Sequence, residues 1–129
     1  MDKNKMEIIN VNGQDVYIRI DDEIDYIVDN ETIELVLEWV KKYIRPYEQV
    51  HINYSHSSYG LKHIVEENLG IYVNNGVLKI AMAKLGFGIS HRDSYLNPSY
   101  AIDEKFFKAF PDTEVKKKSR RKTRSKYSR

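Results

Sequence analysis

The chain has 129 residues, with 21 Lys and Arg against 19 Asp and Glu, four His and no Cys; this is enough for one domain with one core, and not comfortably for two. The lack of cysteine excludes disulfides, thiolate zinc sites and cysteine nucleophiles, and it fits a reducing cytoplasm. No segment approaches the roughly 18 to 20 apolar residues of a membrane span, and the opening MDKNKMEIINVNG holds no apolar run of signal-peptide length, so no membrane contact is expected.

In chain order, EIINV (7–11) and DVYIRI (15–20) flank Asn12-Gly13, a dipeptide whose easy positive φ predicts a β-hairpin turn. Val16, Ile18 and Ile20 then share one face, and Tyr17 and Arg19 share a wet one. The next segment is acidic: Asp21, Asp22, Glu23, Asp25, Asp29 and Glu31 crowd it, and positions 1–38 carry eleven acidic against three basic residues, a net −8. Ile33, Val36, Leu37, Val40 and Ile44 recur at helical spacing, with Asp29 or Asn30 to cap and Pro46 to stop, which predicts a first helix over 31–44. A second runs from a Ser57 cap to about Asn68, closed by Gly70, with Leu61, Ile64 and Val65 inward. A third begins at Asn74 or Asn75, carries Leu78, Ala81, Met82 and Leu85 on one face, and ends at Gly86. Two short strands, 87–89 and 99–102, pair across the polar loop HRDSYLNP.

The last fourteen residues, KKKSRRKTRSKYSR (116–129), hold nine basic residues and no acidic one. Such a stretch has no material for a core and is expected to be a disordered tail. Without it, twelve basic residues face nineteen acidic ones, so the net charge of +2 joins a body of −7 to a tail of +9. The expected fold class is α+β: an N-terminal β-hairpin, a three-helix winged helix-turn-helix, and the basic tail. The segments are 1–29 (acidic hairpin), 30–110 (winged helix) and 111–129 (tail).

The strings WVKKYIRP, SSYGLKHIVEENLGIYVNNGVLKIAMAKLGF and NPSYAI, between Trp39 and Ile102, resemble a group of small proteins of phages and mobile elements of Gram-positive bacteria. They are similar in layout to winged-helix domains appended to phage and plasmid replication proteins. The resemblance implies phage or mobile-element origin, a bacterial cytoplasm and a DNA-binding-like fold. Fold does not imply function, and the strings consist mainly of turn, core and cap residues.

On that layout the partner is nucleic acid, best duplex DNA, because clustered cations gain from the release of condensed counterions. Asn75 and Lys79 would face bases or phosphates from the third helix, beside the small outer residues Gly76, Ile80 and Ala83. Asn74, at the same end of the helix, reads foremost as a helix cap. Lys62 and His63 would meet phosphates from the second helix, or belong to a solvated face with Tyr59 and Glu66. Arg92, beside His91 in the wing, suits a backbone or minor-groove contact, or is an ordinary loop charge. Lys116, Lys117, Lys118, Arg120, Arg121, Lys122, Arg124, Lys126 and Arg129 supply sequence-independent affinity. The alternative is an anti-CRISPR-like inhibitor whose Asp21, Asp22, Glu23 and Asp25 imitate phosphates and dock on a host nucleoprotein; the same run reads more simply as solvated surface. No cofactor, metal site or enzymatic activity is expected, since neither HExxH, GxSxG nor a phosphate-cradling glycine loop occurs.

Overall fold

A computed structural model of the chain describes residues 6–19 and 30–112. Strands β1 (Met6–Val11) and β2 (Gln14–Arg19) form the expected antiparallel hairpin, with Val11 opposite Gln14 and Met6 opposite Arg19. Its turn needs two residues at positive φ, and Asn12 (52°) and Gly13 (89°) supply them. Asn10 Oδ1 accepts the Gly13 N–H at 3.1 Å, which ties the turn to the end of β1.

Helix α1 (Asn30–Trp39) continues through a π-helical turn (Val40–Ile44) and a 3₁₀ turn (Arg45–Tyr47). The α-helix is thus shorter than its periodicity predicted, although Val40 and Ile44 are as buried as Val36. Arg45 closes this region. Its guanidinium donates to Leu85 O at 2.7 Å and to Glu48 Oε1 at 2.9 Å, and it lies 4.7 Å from the centre of the Phe87 ring.

Strand β3 (Glu48–Asn53) follows, then α2 (Ser58–Leu69) and α3 (Asn75–Lys84). Gly70, at φ 73°, ends α2 in the left-handed cap its position predicted. Asn74 caps α3, its side chain accepting the Val77 N–H at 2.8 Å. Strands β4 (Ile89–Ser90) and β5 (Ser99–Ile102) complete a three-stranded antiparallel sheet of order β3-β5-β4, and α4 (Glu104–Ala109) closes the described chain. Neither β3 nor α4 was expected. β3 pairs with β5 at Glu48 and Asn53 around an irregularity, and its burial does not alternate, with Val50 90% exposed. Gly88 lies where a Cβ would come within 3.1 Å of Ala101 Cβ, a close approach that keeps β4 against β5.

One core unites these elements. Val16 and Ile18 from the hairpin join Ile33, Val36, Leu61, Val65, Leu78, Met82, Phe87 and Phe106 in it, so the hairpin is continuous with the helical body. Each of these buried side chains contributes roughly 1.5–3 kcal/mol of apolar transfer energy. Trp39, Tyr43, Phe106 and Phe110 form an aromatic cluster at the far end of α1, with ring centroids 4.9–6.3 Å apart.

Candidate nucleic-acid interface

Helix α3 differs most from expectation. Gly76, Lys79, Ile80 and Ala83, read as its outward face, are buried, together with Leu78, Ala81 and Met82 on the opposite side. Strand β2 packs along α3 from outside while α1 and α2 cover it from within. A helix apolar on nearly all sides is a core helix, and the hairpin completes its burial.

Lys79 is therefore a tether inside the protein rather than a contact on its surface. It is 2% exposed, and its ammonium donates to Tyr17 O at 2.6 Å and Leu96 O at 2.8 Å. These bonds join three segments, namely β2, α3 and the β4–β5 loop, and they compensate for taking an ammonium out of water. Asn75 has a similar use. Its Nδ2 donates to Leu96 O at 3.0 Å and Asn97 Oδ1 at 2.7 Å, so the amide expected to face bases instead pins the start of α3 to the loop.

Tyr17, expected on the wet face of the hairpin, packs edge-on against His91 (5.2 Å) and Tyr95 (4.9 Å), and those two rings stack on each other at 5.4 Å. The hairpin thus packs against both α3 and the loop that follows β4. Burial, and secondarily the positive charge of Lys79, hold the His91 imidazole below its usual range near 6.5. Between that depressed value and 6.5 the unfolded chain binds a proton that the folded chain does not, so stability falls as pH drops through this window. Replacing His91 with Phe keeps a ring and removes the titration. The loss of thermal midpoint between about pH 7.5 and about pH 5.5 is expected to be smaller in H91F than in the parent.

Arg92 is exposed but already paired. Its guanidinium donates to both carboxylate oxygens of Asp93 (3.0 and 3.2 Å) and lies 3.5 Å from the centre of the Tyr54 ring. Hydrogen bonding to Arg92 holds the Asp93 carboxyl below its usual range. His63 is half-buried, with Nδ1 3.4 Å from Glu66 Oε2 and its ring edge-on to Tyr59 at 4.6 Å. His56 stacks on Phe107 at 3.6 Å and meets Glu104 Oε1 at 2.9 Å. Hydrogen bonds from Asn53 and His56 hold the Glu104 carboxyl below its usual range. Among the described residues, no three His, Asp or Glu side chains are grouped to hold a metal ion. Asp21, Asp22, Glu23 and Asp25 lie outside the described residues, as do the nine tail cations from Lys116 to Arg129.

The structure does gather two of the candidate residues. Lys62 and Asn75 line one polar cleft with Arg19, Tyr59, Tyr72, Leu96 and Asn97. Sequence reading missed Arg19, Tyr72 and Asn97 because they come from a strand, a turn and a loop that only the docked hairpin brings together.

No family model, curated protein or solved structure matches this chain. No helix among the described residues is long and apolar enough to cross a membrane.

Proposed function

We propose that this is a non-enzymatic DNA-binding protein of phage or mobile-element type, with a winged-helix body and a basic tail that provides sequence-independent affinity for duplex DNA. The observation that carries the reading is the division of charge: nine cations and no acidic residue from Lys116 to Arg129, on a body of −7. Such a division serves a polyanion, through counterion release, better than it serves a compact acidic ligand. The order α1-β3-α2-α3-β4-β5, with strand order β3-β5-β4, supports the winged-helix part. Burial of α3 beneath the hairpin speaks against base reading by that helix in this conformation. Contact then falls to the tail, to the cleft around Lys62 and to the β4–β5 loop bearing Arg92. The test is a salt-dependent titration of random duplex DNA with the full chain and with residues 1–115. Equal binding and equal salt dependence for the two would overturn the tail's role.

A second reading is favoured by the same burial. With α3 sealed, the body serves as a scaffold, and the acidic run Asp21, Asp22, Glu23 and Asp25, which follows β2 in the sequence, supplies the carboxylates that engage a host nucleic-acid-binding protein. Exchanging those four residues for Asn and Ser is expected to abolish capture of a host nucleoprotein on this reading. On the DNA-binding reading, the same exchange leaves duplex affinity unchanged or raises it.

A further inference from the structure

The cleft between α2, the α2–α3 turn, the β4–β5 loop and β2 has a volume of about 300 Å³, at the small end of the range for ligand sites. Its chemistry is specific. The Lys62 side chain is 9% exposed, and its ammonium lies 5.6 Å from the centre of the Tyr59 ring and 5.1 Å from that of Tyr72. One carboxylate oxygen, Glu66 Oε1, stands 3.5 Å away, well beyond the roughly 2.7–2.9 Å of a charge-assisted hydrogen bond. That oxygen also accepts the Val73 N–H at 3.1 Å, so it serves the turn before α3 as well. A lysine this buried, with one shared and distant carboxylate, retains donors for an incoming anion.

The rest of the wall suits what accompanies such an anion. Arg19 brings a second cation from β2. Tyr59 and Tyr72 are 52% and 60% exposed and offer ring faces on which a planar base can stack, while Asn97 brings an amide. Cations for a phosphate and aromatic faces for a base, set around one small opening, are the elements of single-strand recognition. We infer that this cleft receives one unpaired nucleotide, its phosphate on Lys62 and Arg19 and its base on Tyr72, the more exposed of the two rings. The inference rests on the nucleic-acid reading above but makes no use of the tail.

The experiment is amide-shift mapping of the isotope-labelled full chain during titration with a thymidine hexanucleotide, with thymidine monophosphate and with inorganic phosphate. Saturable shifts are expected at Arg19, Tyr59, Lys62, Tyr72 and Asn97. Tyr72→Ala, at an exposed position, is expected to weaken binding roughly 5- to 150-fold, and Lys62→Met, which keeps the buried stem, is expected to weaken it without lowering the thermal midpoint. Tighter binding of the hexanucleotide than of the monophosphate assigns the cleft to a strand, and equal binding assigns it to a free nucleotide; both uphold the inference. Shifts confined to the tail, a cleft response no stronger to nucleotide than to inorganic phosphate, or unaltered binding by Tyr72→Ala would each overturn it. Duplex affinity carried by the tail is read separately, so loss of the cleft assignment leaves that measurement intact.

Discussion

Lys79→Ala is expected to destabilise the protein by about 3 kcal/mol, the usual cost of removing one member of a buried charged hydrogen-bonded set. Two carbonyl oxygens, Tyr17 O and Leu96 O, would lose the ammonium they share, and the hairpin and the β4–β5 loop would lose the bridge that holds both to α3. On a typical stability of about 5–15 kcal/mol this is a large fraction. Chemical denaturation measures the total, and hydrogen exchange at Val16 and Ile18 reports whether the hairpin loosens first. Lys79→Met, which fills the same space without the charge, separates lost packing from lost hydrogen bonds. A variant as stable as the parent but deficient in binding a preferred DNA sequence would return Lys79 to the role of a base-reading residue and contradict the internal bridge.

Removal of residues 116–129 is expected to have the largest effect on affinity. If four to nine of the nine cations meet phosphates, the slope of log K against log salt should become shallower by about 4 to 8. The loss should be uniform across DNA sequences, because phosphate contacts carry no base information. Raising salt from about 50 to about 200 mM should then weaken the full chain by orders of magnitude and the truncated chain far less. Thermal stability should change little, since residues 116–129 offer no aliphatic side chain and only Tyr127 for a core. A truncation that lowers affinity for one sequence only would assign base recognition to the tail and overturn its sequence-independent role.

Much of the local structure was legible from the residues alone, and for identifiable reasons. Asn12-Gly13, Gly70, Asn74 and Gly86 mark turns and caps because each occupies a backbone position or makes a hydrogen bond that few other residues permit. The inward faces of α1, α2 and α3 followed from periodicity, since a half-buried helix must repeat its apolar residues. β3 and α4 escaped notice because one, EQVHIN, offers only Val50 and Ile52 as an alternating pair and the other, EKFFKA, is too short for a helical period to develop.

The outward face of α3 needed the folded molecule. Periodicity identifies one buried face and is silent about whether a distant segment covers the other. Gly76, Ile80 and Ala83 did carry a signal, for three small or apolar residues opposite an apolar stripe describe a helix buried on both sides. Lys79 concealed it, because a lysine reads as solvent-facing until two carbonyls from β2 and the β4–β5 loop are found at its ammonium. The cleft is of the same kind. Arg19, Lys62, Tyr72 and Asn97 are scattered over nearly eighty positions, and their association depends on long-range packing of the hairpin against α3 and the loop, which no local pattern encodes.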